Sequence, residues 1–171
     1  MKPPAALFAL ALIAAAPVAT AGQPAPRMGI ASFAQLKTPL PFPYDEAANA
    51  DKVVAAGRAK AKAQGKRLII DLGGNWCGDC RILDGTLERP ELKRFVDKAF
   101  VVVSVDVGRF DKNLQVPAHY GITERLEGVP ALLVVDPKTD KLLNRSQISA
   151  LSDARHMSPQ GLADWLAGWA R

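Results

Sequence analysis

The stretch RLIIDLGGNWCGDCR, residues 67–81, decides the fold. RLIIDL is a short apolar run rich in Ile and Leu, which reads as a buried strand. Gly73 and Gly74 break it, and a helix is expected to open at Cys77. The two cysteines, Cys77 and Cys80, are the only ones among 171 residues. A C-x-x-C pair at a strand-to-helix junction is a redox signature for a physical reason. Unpaired N–H groups and the macrodipole at a helix N-terminus favour an anion. The first thiol, Cys77, is thereby expected to ionise near neutral pH and act as a nucleophile. Cys80 lies about one turn on, on the same face, placed to resolve a mixed disulfide formed on Cys77. Gly78 between them permits a tight approach; both it and Asp79 are expected to border substrate, and the Asp79 charge to disfavour the thiolate, with Arg81 offsetting part of that effect.

Working outward, DEAANADKVVAAGRAKAKAQ before the strand reads as a helix capped by Asp45 and stopped at Gly65. After the motif, the helix CRILDGTL is interrupted before Pro90 and resumes as ELKRFVDKA. FVVVSVDV (residues 100–107) is a second strand, with five Val among its eight residues. A short helix is expected around Pro117 to Tyr120. VPALLVV (129–135) is a third strand, and DPKTD (136–140) is turn chemistry leading to a fourth. Ser158-Pro159 opens the last helix. Strands alternating with helices imply an α/β fold with a parallel βαβ unit, and the hairpin adds an antiparallel edge.

The first residues read differently. Lys2 precedes the apolar run AALFALALIAAA, and Ala19-Thr20-Ala21 supplies a small-x-small pattern, which together read as a signal peptide spanning residues 1–21. The run is short of the roughly 20 residues a spanning helix needs, so stable membrane insertion is not expected. Cleavage between Ala21 and Gly22 would deliver the protein to the periplasm or beyond. Residues 22–43 carry five prolines and read as a linker. The folded domain is expected over 44–171.

Composition excludes several classes. Hydrophobic residues are 49% and charged residues 23%, ordinary for a globular domain. The net charge of +5 is dispersed, which argues against a nucleic-acid partner. An inert structural disulfide is open to an exported protein, although so short a loop constrains little of the unfolded chain. A metal site would need more ligands, and His119 and His156 lack zinc-ligand spacing to the cysteines. No metal and no bound cofactor is therefore expected beyond the cysteine pair. A copper-holding metallochaperone is the rival reading. Met1, Met28 and Met157 all lie outside the motif and do not favour it.

The segment LIIDLGGNWCGDCR resembles the active-site segment of the thioredoxin superfamily, in which a strand bearing an Asp leads to W-C-x-x-C. Gly128-Val129-Pro130-Ala131 resembles the cis-proline loop that these proteins set opposite the cysteines. Covering about 45–171, the resemblance is nearest to periplasmic thioredoxin-like interchange domains of the DsbD C-terminal type. It implies a thioredoxin-like fold, a central mixed sheet flanked by helices in a single domain. Cys77 then matches the attacking cysteine, Cys80 the resolving one, and Asp71 the buried carboxylate that assists proton transfer. As the lone charge inside an apolar run, Asp71 is expected to have a raised pKa, unless it sits at a solvated strand end. The resemblance implies a cis Val129–Pro130 bond, whose backbone pairs with substrate as an added strand; an ordinary trans proline at a strand start is the alternative. Trp76 is expected beside the cysteines as a flat surface for substrate, or else in the core. The implied partners are exported proteins bearing disulfides and a membrane-associated electron donor. Three features depart from the pattern: Val102 where a Lys often neighbours the buried Asp, the insertion TERLE at residues 123–127, and Gly-Asp between the cysteines.

Overall fold

The computed structural model describes residues 23–170. The leader reading of residues 1–21 lies outside them. Within the described residues no helix is long and apolar enough to cross a membrane.

Four strands form one sheet in the order β2-β1-β3-β4: β1 (Arg67–Gly73), β2 (Phe100–Asp106), β3 (Ala131–Asp136) and β4 (Lys141–Leu142). β1 and β2 run parallel, while β3 is antiparallel to β1 and β4 to β3. The parallel pair is joined by α2 (Gly78–Leu87) and α3 (Pro90–Ala99), the βαβ unit that the alternation implies. Pro90 breaks the two helices apart and then occupies the first turn of α3, where its missing N–H costs nothing.

Buried on both faces, β1 reads as a continuous apolar run. Even positions Leu68, Ile70 and Leu72 pack with α1 (Ala50–Gln64) residue Ala61 and with Val101, Val105 and Leu133. Odd position Ile69 packs with Leu83 of α2, Leu92 of α3, and Leu162 and Leu166 of α5 (Pro159–Gly168). Fully burying each such side chain contributes about 1.5–3 kcal/mol. Asp71 falls on the Ile69 face by strand alternation, so β1 delivers a carboxylate into the layer beneath α2.

Two boundaries differ from the sequence expectation. Helix α1 begins at Ala50 rather than after Asp45, because Asn49 is its cap and accepts from Lys52 N at 3.0 Å. Asp45 instead accepts from Ala47 N at 2.9 Å, closing a turn that precedes the helix. Gly65, at φ 66°, stops α1 as expected. The second difference concerns residues 23–43, read above as a linker. They form a strap on the domain: Met28 and Leu36 are buried, and Gly29 N donates to Glu91 Oε1 at 2.9 Å. Proline density forbids helix and central strand, but it does not forbid packing of an irregular chain.

Candidate functional site

Cys77 is the N-cap of α2, and its sulfur accepts from Cys80 N at 3.1 Å. That placement puts Sγ at the positive end of a ten-residue helix. Cys77 and Cys80 are joined as a disulfide, the oxidised state of the pair. Cys80 is fully enclosed, while Cys77 retains 5% exposure. Of the two cysteines only Cys77 therefore keeps any accessible surface. Across the groove, Val129 O is 3.3 Å from Cys77 Sγ, and the Val129–Pro130 peptide is cis. The sequence segments 76–80 and 128–131 are thus brought together at the tip of the sheet.

Asp71 is 2% exposed, and Tyr44 Oη donates to its Oδ2 at 2.8 Å. The other oxygen, Oδ1, is buried without a hydrogen-bond partner. Burial pushes the Asp71 carboxyl up to about 7; the Tyr44 hydrogen bond pulls the other way, and the charge of Asp84 adds to the rise. The alternative of a solvated strand end does not hold at this position. Gly73 explains how the groups converge. A β-carbon there would lie 2.3 Å from Tyr44 Oη and 2.8 Å from Cys80 Sγ, so only glycine allows phenol and sulfur to meet over the strand end. On β2 the register partner of Asp71 is Ser104, and Val102 pairs with Ile69. The departure from the thioredoxin Lys is therefore assigned to the wrong residue when Val102 is taken as its counterpart. No lysine stands opposite Asp71 in the register.

Of the dipeptide between the cysteines, Gly78 is exposed and Asp79 is buried. Asp79 is 7% exposed and faces Arg155, accepting from Nε at 3.0 Å, Nη2 at 2.6 Å and the backbone N at 2.8 Å. Burial alone would push the Asp79 carboxyl up, but these Arg155 hydrogen bonds outweigh it and hold the group below the usual carboxylate range. The Arg155 guanidinium also lies alongside Gly78, with Nη2 3.3 Å from where a β-carbon would sit. From the sequence, Asp79 is expected to border substrate, with Arg81 offsetting part of its charge. Its charge is instead paired with Arg155, 76 residues away in sequence.

Trp76 is 42% exposed, beside the cysteines rather than in the core. Its Nε1 donates to Gly108 O at 2.7 Å, and its ring meets Phe110 edge-on at 6.1 Å. Arg109 lies 4.4 Å over Trp76, and Arg125 4.1 Å over Phe110. Arg125 comes from the TERLE insertion, so that segment contributes a cation to the rim of the site. His119 and Tyr120 stand apart and serve a different purpose, both contacting Asp140 (2.9 and 3.2 Å). Sequence reasoning missed Tyr44, Arg155, Arg109 and Phe110. Only Tyr44 carried a signal, as an aromatic at the end of a proline run; the others reach the site by tertiary placement.

Residues 49–137 match the thioredoxin-like family model. A "Thioredoxin H-type" protein of Fagopyrum esculentum is 30% identical over 92 residues, covering 53% of this chain and 78% of that protein. Among solved structures, a disulphide isomerase from Xylella fastidiosa Temecula1 superposes with a TM-score of 0.69 at 38% identity, covering 75% of this chain and 96% of that one. The C-x-x-C disulfide, the fold that carries it and these matches have one common explanation: the chain belongs to the thioredoxin-like family and is a thiol–disulfide oxidoreductase.

Proposed function

We propose that this is an exported protein-disulfide reductase or interchange protein, working through Cys77 and Cys80 on disulfides of other exported proteins. The observation that carries the reading is the place of Cys77: helix N-cap, edge of the surface, 3.3 Å from the Val129 carbonyl. In the reduced protein the Cys77 thiolate attacks one sulfur of a substrate disulfide. That S–S bond breaks, a substrate thiolate leaves, and a Cys77–substrate mixed disulfide forms. Cys80 then gives its proton to Asp71 Oδ1, and its sulfur attacks Cys77 Sγ. The second substrate thiolate leaves, and the Cys77–Cys80 disulfide remains. Substrate gains two electrons and the protein loses two. Trp76 and Gly78 border the approach, and the backbone of Val129 and Pro130 offers pairing groups to an extended substrate chain. Re-reduction needs a dithiol donor, which for an exported protein is expected at the membrane. Export itself is supported by the apolar run and Ala19-Thr20-Ala21. The similarity to a disulphide isomerase supports interchange as well as reduction.

Direction is tested by equilibrating the full chain against glutathione buffers. The potential is set by how far the reduced form, chiefly its thiolate, is stabilised. The midpoint is expected nearer thioredoxin's roughly −270 mV than the roughly −120 mV of a strong oxidant. A midpoint above about −150 mV would replace the reductase reading with an oxidase one. The same measurement reads the Asp79–Arg155 pair. Asp79→Asn leaves a cation unopposed near Cys77 and is expected to raise the midpoint. Arg155→Met leaves an acid unopposed and is expected to lower it. Equal directions for the two variants would contradict an electrostatic role for the pair.

A further inference from the structure

The end of the strap is joined to the redox loop at three points. Tyr44 N donates to Asn75 Oδ1 at 3.1 Å, and Asn75 Nδ2 donates back to Tyr44 O at 2.8 Å, two residues before Cys77. Immediately after Cys80, Arg81 donates to Leu40 O at 2.7 Å and Pro41 O at 3.0 Å, with its guanidinium 4.0 Å over the Phe42 ring. Between these two grips the Tyr44 side chain runs inward, 2% exposed, to Asp71. The strap side of these contacts, residues 40–44, lies outside the family match, which begins at residue 49.

We propose that Tyr44 is a positioning residue of the redox step: its hydroxyl holds one oxygen of the Asp71 carboxyl at the strand end where Gly73 lets the phenol and Cys80 Sγ approach the same point. Residues 40–44 are then a working part of the redox centre, not a tether. The inference rests on the reading of Asp71 as the acceptor of the Cys80 proton. Geometry assigns the two carboxylate oxygens separate tasks. Oδ2 is occupied by the phenol, so the unpartnered Oδ1 is the oxygen left to take the proton. The phenol stays a donor throughout, because burial first, and then the Asp71 charge, push its own ionisation well above the working range. The titratable groups acting on Asp71 are Tyr44 from the strap and Asp84 from α2; Asp106 at the end of β2 acts in turn on Tyr44. Asp84 opposes ionisation of Asp71, which leaves the Tyr44 hydrogen bond as the contact that favours it.

Two readouts on the full chain test this. In the first, the Asp71 carboxyl is titrated by 13C NMR in the oxidised protein. Tyr44→Phe removes a donor from a buried carboxylate and is expected to move the Asp71 midpoint up by about one pH unit. In the second, reduced protein reacts with an aromatic disulfide reagent, and release of the second aryl thiolate reports attack of Cys80 on Cys77 Sγ. That release is expected to be about fivefold slower at pH 7 in Tyr44→Phe and to converge with the native rate above about pH 9, as a one-unit shift requires. Asp71→Asn should flatten the same profile. Superimposable titrations of native and Tyr44→Phe protein, with a flattened Asp71→Asn profile, overturn the role of Tyr44 alone. An Asp71→Asn profile identical to the native one overturns the Asp71 reading and this inference with it. Slowing by one factor at every pH would mark Tyr44 as merely structural. Should Tyr44→Phe fail to fold, Asn75→Ala loosens the same strap end with the phenol kept, and a smaller upward shift is expected; no shift overturns the proposal.

Discussion

Asp71→Asn is expected to make the oxidised protein melt at a higher temperature than the native chain at pH 8, and to lose that advantage near pH 4. The carboxyl is buried and its folded-state value is raised from 3.8 to about 7. A raised acid costs the folded state stability where it is ionised and nothing where it is protonated. Below its unfolded value, folded and unfolded chains both carry the proton and the group is neutral in effect. Between about 4 and 7 the unfolded chain ionises first, and stability falls as pH rises. Above about 7 the full penalty applies, roughly three units at 1.36 kcal/mol each, or on the order of 4 kcal/mol. Asn matches the neutral carboxyl in shape and avoids that penalty. Urea unfolding of both proteins at pH 4 and pH 8 checks the result. A variant no more stable than the native chain at pH 8 would mean that Asp71 is solvated or compensated in the folded state. The stability held back by Asp71 is the physical counterpart of its use: a carboxylate that is costly to ionise is a strong proton acceptor once ionised.

Much of the fold was legible because local patterns and tertiary needs agreed. RLIIDL and FVVVSVDV are apolar on both faces, as strands of a sheet covered by helices on both sides must be, and their spacing with Pro90 between leaves room for two short helices. Cys77 and Cys80 were readable because the chemistry of a helix N-terminus is local. The misreadings are of one kind. Asp45 and Asn49 are both good caps, and a local pattern does not say that Asp45 closes a turn while Asn49 caps the helix. Residues 23–43 look like a tether because prolines advertise what a segment cannot form, not what it can cover. Asp79 looked only partly offset, by Arg81, because its partner, Arg155, follows three strands later. Each missed residue acts through a long-range polar or aromatic contact, and hydrophobic periodicity carries no information about those.

The two cysteines are expected to behave oppositely when the resolving step is removed. Cys77, the N-cap of α2, keeps a little accessible surface, whereas Cys80 in the first turn of the helix is fully enclosed. With Cys80→Ser, attack on a substrate disulfide stops at the mixed disulfide, since no second thiolate is present to attack Cys77 Sγ. With Cys77→Ser, the remaining thiol has no path to substrate and no helix N-terminus to ionise it. The most direct test mixes each reduced variant with insulin at neutral pH, quenches with acid and weighs the products by mass spectrometry without reductant. The account predicts a dithiothreitol-reversible adduct of one insulin chain on Cys80→Ser and none on Cys77→Ser. Equal adducts on both variants, or more on Cys77→Ser, would contradict it.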